Sequence, residues 1–131
     1  MNAFFKKISS DSGVKKLIQC YNRDKGQGYI YGLSGSQKHA MAAACYIQRP
    51  KTMVIICSSN EAVEEWLSDL NALLPENDTI AELPALDVMT VSATAKSLEL
   101  TAKRMEILGR LTQNEPLIII ANAASAVQKN L

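Results

Sequence analysis

Residues 32–39 (GLSGSQKH) have part of the spacing of a phosphate-binding loop, whose pattern is G-x-x-x-x-G-K-[ST]. In such a loop the glycines allow backbone N–H groups to curl around the phosphates, the lysine reaches their outer oxygens, and the hydroxyl holds Mg²⁺. Gly32 and Lys38 match the pattern, whereas Gln37 replaces the second glycine and His39 replaces the hydroxyl residue. The first question is therefore whether this loop can bind a nucleotide.

The two replacements predict that it cannot. A side chain at Gln37 opposes a left-handed backbone by about 1–2 kcal/mol and can itself occupy the cradle. Imidazole is a poor ligand for Mg²⁺, which prefers oxygen, so we expect His39 to be a helix-capping or surface residue. The strand-like run at residues 117–120 (LIII) is followed by no carboxylate that could hold a metal ion or a water. We therefore expect no catalytic residue, no bound cofactor and no metal site in this chain.

A weaker function remains for the loop. The first N–H groups of a helix lack partners within the helix, and together with the helix dipole they attract anions. The sequence thus predicts that any sulfate or phosphate would lie on a residual anion site, which consists of the N–H groups of Gly35, Ser36, Gln37 and Lys38.

The elements that must position this loop alternate between strand and helix. Continuous apolar, β-branched runs are typical of parallel strands covered on both faces; together with weaker runs they predict strands at residues 29–31, 52–57, 79–83 and 117–120. Apolar spacing and end signals predict helices at residues 37–48, 60–74, 96–111 and 124–131. This order predicts an α/β fold, in which flanking helices cover a parallel sheet of about four strands, as in a degenerate P-loop NTPase (helicase-like) half-domain.

The same spacing predicts which side chains face the core. Trp66 lies on the apolar face of its helix, and Cys45 and Cys57 lie in a buried helix and a buried strand. In the long helix at residues 96–111, the inward residues are expected to be Leu98, Ala102, Met105, Leu108 and Leu111.

Composition favours an ordinary globular domain. The chain has 131 residues, of which 47% are hydrophobic, and a formal net charge of +1. The longest apolar runs are far shorter than the ~20 residues that a bilayer requires, and residues 1–7 do not form a secretory signal, so we expect a cytoplasmic protein with no membrane contact.

Charge is uneven along the chain: residues 1–25 carry +4, whereas residues 60–87 carry eight acids and no base. We expect these runs to be solvated helix faces, and an acidic surface for a basic partner stays open.

Five short segments follow one another along the chain: residues 32–36 (GLSGS), 54–56 (VII), 83–85 (LPA), 104–108 (RMEIL) and 116–120 (PLIII). In this order and spacing they resemble the N-terminal segment of the bacterial transcription-repair coupling factor (Mfd) family. That segment of the family is similar to the first domain of the excision-repair protein UvrB, whose corresponding loop is an intact phosphate-binding loop. The departures at Gln37 and His39 favour the coupling factor family over UvrB.

The resemblance implies a piece of a longer protein. It covers residues 27–131, which would form a UvrB-like α/β domain, while apolar spacing predicts a helical lead of one or two short amphipathic helices at residues 1–26. The family is a multidomain DNA translocase that displaces stalled RNA polymerase and recruits UvrA, and its ATP- and Mg-dependent motor lies in other domains. UvrA and RNA polymerase would accordingly bind other domains, while this domain would contact its neighbours in the same chain. No direct DNA binding is expected here.

Three function classes stay open on the sequence. The broken loop favours a non-catalytic interaction and scaffold domain. The alternative is a working nucleotide-binding half-domain of a DNA-repair helicase such as UvrB. A third hypothesis, a DNA-binding module formed by residues 1–25, predicts binding that weakens steeply with added salt.

Overall fold

The computed structural model describes residues 3–74, 77–85 and 94–128. Within these ranges six α-helices surround three strands. The helices are α1 (Ala3–Ser9), α2 (Ser12–Asn22), α3 (Gln37–Gln48), α4 (Asn60–Leu73), α5 (Thr94–Thr112) and α6 (Ala123–Val127). The strands are β1 (Met53–Cys57), β2 (Ile80–Glu82) and β3 (Ile118–Asn122), and a short 3₁₀ helix, Asn77–Thr79, precedes β2. Among the described residues no helix is long and apolar enough to cross a membrane.

The three strands form a parallel sheet in the order β1-β3-β2. Strand β3 is central, with Ile120 opposite Ile55 of β1 and Glu82 of β2. Parallel neighbours need helical crossovers, and the chain supplies α4 and α5 between successive strands. The prediction of a parallel α/β sheet with flanking helices is thus confirmed for the described residues.

Alternate residues of β3 reach two different cores. Ile118 and Ile120 are fully buried and belong to the larger core, where Ala43 of α3 and Leu70 of α4 cover one face of the sheet. Ile119 belongs to a smaller core on the other face. This second core holds Ile107, Leu111, Leu117, Ala81 and Leu83. The central strand is therefore covered on both faces, as its unbroken apolar sequence indicates.

Residues 29–31, predicted as the first strand, do not form one. The side chain of Tyr29 is 77% exposed and that of Tyr31 is 84% exposed. Gly28 lies so close to α2 that an added Cβ would be 3.0 Å from the Cys20 sulfur, and Gly32 has a φ of +79°. Gly28 thus approaches α2 just before this segment and Gly32 turns the backbone just after it, and the segment pairs with no strand among the described residues. The described sheet consequently has three strands rather than about four.

The long helix also differs from its predicted orientation. Arg104 and Ile107 face inward, whereas Leu98 is 67% exposed and Met105 is 52% exposed. The guanidinium of Arg104 donates to three carbonyl oxygens at distances of 2.9–3.0 Å, those of Pro84, Ser125 and Gln128. These three hydrogen bonds compensate for the burial of the charged side chain. With Arg104 on the buried face of α5, Leu98 and Met105, which were predicted to face inward, lie on the exposed face.

Candidate functional site

The loop at the start of α3 closes on itself. The backbone N–H of Ser34 donates to the side-chain oxygen of Gln37 at 3.0 Å, and the N–H of Gln37 donates to the Ser34 carbonyl at 3.2 Å. Gly35 has a φ of +54°, a conformation that favours glycine. The N–H of Gln37, one of the four donors of the predicted anion site, is therefore already bound within the turn.

The four residues of the predicted anion site lie together in this turn. Ser36 is the N-cap of α3 and makes no side-chain capping bond, and the side chain of Lys38 is exposed. Burial raises the pKa of the Cys57 thiol, and the nearby charge of Lys38 opposes this shift only in part. Anion binding at Gly35, Ser36, Gln37 and Lys38 stays a prediction.

His39 is not a surface residue, so that expectation was wrong. It is only 2% exposed, its Nδ1 is paired with the carboxylate of Asp69, and its ring centroid lies 4.2 Å from that of Trp66. Asp69 and Trp66 are both on α4, and Trp66 also packs against the larger core. The residue at the magnesium-binding position of the pattern thus links α3 to α4. The spacing of three between Trp66 and Asp69 places both on one helix face, but nothing in the sequence places His39 opposite them.

A pocket of about 500 Å³ lies between this loop and α4. Its lining residues are Gly35, Ser36, His39, Glu64, Glu65, Ser68 and Asp69. Three carboxylates thus stand across from the turn that would have to attract a phosphate. The sequence predicted that the acids of α4 lie on a solvated face. Their position beside the loop could not be predicted, because it depends on how α3 packs against α4.

An amide pair lies at the carboxyl ends of β1 and β3, where ligands of open parallel sheets commonly bind. The Nδ2 of Asn122 donates to the Oδ1 of Asn60 at 2.6 Å, while the Oδ1 of Asn122 accepts from the N–H of Ser125 at 2.7 Å. No carboxylate stands at Asn122, as the sequence indicated. This pair positions the starts of α4 and α6 and carries no general base.

The buried cysteines do not offer a nucleophile. Burial raises the pKa of Cys45 to about 11, with Lys51 opposing that shift, and it also raises the pKa of Cys57. Thiols with raised pKa values are protonated near neutral pH and react slowly. Among the described residues no group of three or more His, Cys, Asp or Glu side chains could hold a metal ion.

A larger cavity of about 870 Å³ lies between α2, residues 28–31 and α3. Its walls are mainly apolar, including Val14, Leu17 and Met41, and Lys16 is the one lysine among its lining residues. It holds no cluster of groups that could perform acid–base or nucleophilic chemistry. We therefore regard the loop and the acidic pocket as the candidate functional site.

Comparison with known proteins links the chain to one class of protein. The transcription-repair-coupling factor of Bacillus subtilis (strain 168) is 25% identical to it over 118 residues, which is 90% of this chain. The chain spans about a tenth of the length of that curated relative. No protein-family model matches the chain. No solved structure matches it.

Proposed function

We propose that this chain is a non-catalytic interaction domain of a transcription-repair coupling factor. Similarity to such a factor over 90% of the chain supports the link to DNA repair. The observation that carries the non-catalytic role is the state of the loop. The N–H of Gln37 is bound to the Ser34 carbonyl, the Gln37 side chain bonds to the same turn, and the pocket beside the loop is lined by carboxylates. The loop's geometry favours a structural turn over a phosphate cradle.

In this proposal the chemistry of the whole protein belongs to other domains. ATP and Mg²⁺ would be bound by motor domains elsewhere, and RNA polymerase and UvrA would be contacted by other domains as well. This domain would pack against its neighbours in the same chain. It would neither bind DNA directly nor contact a membrane, and we place it in the cytoplasm.

An ATPase assay of the chain tests the proposal against its catalytic rival, a working nucleotide-binding half-domain. We expect no Mg-ATP turnover above the buffer rate, with or without duplex DNA. The matched control is Lys38→Ala, which removes the one lysine of the loop while leaving its glycines in place. Turnover that is present in the parent chain and lost in Lys38→Ala would overturn the proposal, because it would place the activity at this loop rather than in a contaminant.

A further inference from the structure

Strand β1 forms one edge of the described sheet, and it pairs with β3 on one side alone. The N–H of Met53 donates to the Leu117 carbonyl at 2.8 Å, which turns the backbone groups of Met53 toward β3. Because successive residues of a strand turn these groups to opposite sides, those of Val54 and Ile56 point to the free edge. Among the described residues they meet no partner strand, so β1 is a template for another strand.

The side chains of the same two residues are exposed. Val54 is 57% exposed and Ile56 is 62% exposed, whereas Met53, Ile55 and Cys57 pack in the larger core on the opposite face. The smaller core lies beneath β2 and β3, and none of its described residues comes from β1. Strand β1 therefore combines a free edge with an apolar face that the described part of the chain leaves largely uncovered.

The two edges of the described sheet differ in their protection against pairing. Strand β2 has three residues and ends at the exposed Glu82, and both shortness and charge protect an edge. Strand β1 has five residues (MVIIC), with no charge and no proline. Because β1 is the open edge and β2 is the protected one, pairing through β1 uses up the open edge and closes at a dimer.

We propose that β1 pairs antiparallel with β1 of a second copy of this chain, with a two-fold axis between the two Ile55 residues. In this register Val54 of each copy lies opposite Ile56 of the other. Both residues turn their backbone groups outward, so each such pair exchanges two hydrogen bonds. Their exposed side chains meet on the same face of the joined sheet, where they cover one another.

Charge at the two ends of β1 favours this antiparallel arrangement. Arg49 and Lys51 precede the strand, and Glu61, the acid in the first turn of α4, follows it. An antiparallel copy places the basic end of one strand beside the acidic end of the other, whereas a parallel copy would bring like charges together. This dimer goes beyond the proposed function and does not depend on the state of the loop.

Analytical ultracentrifugation of the chain, between micromolar and millimolar concentrations, tests the proposal. We expect a monomer–dimer equilibrium with no larger species. The variant Val54→Lys/Ile56→Lys should raise the dimer Kd about tenfold or more, because it replaces apolar cross-strand pairs by like charges. The matched control, Leu98→Lys/Met105→Lys, changes two similarly exposed apolar side chains of α5 and should leave the Kd within about twofold.

A second variant keeps the test informative if the lysine variant of β1 does not fold. Val54→Pro removes an N–H that points to the free edge, a position at which strands tolerate proline, and it should weaken the dimer without changing the pairing of β1 with β3. A chain that stays monomeric over the whole range would overturn the inference and would leave the edge to a strand of another protein. Equal weakening by both lysine variants would also overturn it, since association would then follow net charge.

Cross-linking tests the register, in a Cys20→Ser background. Oxidation of a mixture of Val54→Cys chains and Ile56→Cys chains by oxidised glutathione should give mainly the mixed disulfide, because the two positions are directly opposed. A preference for disulfides between two Val54→Cys chains would overturn the antiparallel register, because a parallel copy brings those positions together.

Discussion

Replacing Arg104 by methionine is expected to lower the free energy of unfolding by about 3–5 kcal/mol, because three carbonyls lose their donors at a cost of about 1–3 kcal/mol each. The guanidinium is buried and donates to the carbonyls of Pro84, Ser125 and Gln128, which come from the end of β2, from α6 and from the residue after it. Without these donors the Ser125 carbonyl loses its partner in a buried site and the carbonyls of Pro84 and Gln128 lose theirs in partly buried sites, so the loss at Ser125 costs most. Methionine keeps much of the side-chain volume, so the effect reports on the hydrogen bonds.

Urea denaturation with matched variants measures this effect. Lys103→Met, on the exposed side of the same helix, should change the free energy of unfolding by no more than about 0.5 kcal/mol. Arg104→Lys keeps the charge but not the planar fork, and we expect an intermediate loss of about 2 kcal/mol, which keeps the test informative if the methionine variant does not fold. A loss below about 1 kcal/mol in Arg104→Met would contradict this account of how α5 is held.

The second large effect is expected for His39→Ala, which should lower the free energy of unfolding by about 2–4 kcal/mol. The substitution removes a ring that is 2% exposed, its contact with Trp66 and its pairing with Asp69. Cavity formation between α3 and α4 is the dominant cost, because Asp69 retains access to water once its partner is gone. If His39 were a simple surface residue, the loss would be close to zero.

Trp66 provides the readout, since it is the only tryptophan of the chain. Its fluorescence should shift to longer wavelength in His39→Ala, because the indole gains contact with water. The comparison variant Asp69→Asn keeps the histidine ring and an acceptor oxygen, and should lose only about 1 kcal/mol. Unchanged tryptophan emission together with unchanged stability in His39→Ala would refute the role of His39 as a link between the two helices.

The regular elements that bury continuous apolar sequence could be predicted from the sequence. Strands were predicted at residues 52–57 and 117–120 and are found as Met53–Cys57 and Ile118–Asn122. The helix after β1 begins as its sequence indicates, since the Ser59 side chain accepts from the N–H of Ala62 as an N-cap. In these segments local propensity and tertiary burial favour the same conformation, so a single sequence is enough to predict the element.

The failures occur where tertiary contacts outweigh the local pattern. Residues 29–31 have strand-forming side chains, but a strand needs a partner strand. Among the described residues none pairs with this segment, and its two tyrosines are exposed. In α5 the apolar stripe that includes Leu98 and Met105 predicted an inward face, yet the hydrogen bonds of Arg104 fix a different one.

The candidate site could be predicted in part. The replacements at Gln37 and His39 predict a loop unsuited to nucleotide, and this stays a prediction. The structure shows that the side chain of Gln37 bonds to the turn. The partner of His39 and the acids across the loop could not be predicted, because both depend on the packing of α3 against α4, which brings together residues 30 positions apart in the chain. Helix pairing of this kind leaves no pattern in a single sequence.

The most direct test of the account is equilibrium binding of Mg-ATP to the chain, measured by isothermal titration calorimetry and by amide shifts of Gly35 to Lys38. We predict no saturable binding at millimolar ATP, no amide shifts at the loop and no difference between the parent chain and Lys38→Ala. Saturable binding with a Kd of about 1 mM or lower that disappears in Lys38→Ala would contradict the account, because it would show that the loop still holds a triphosphate.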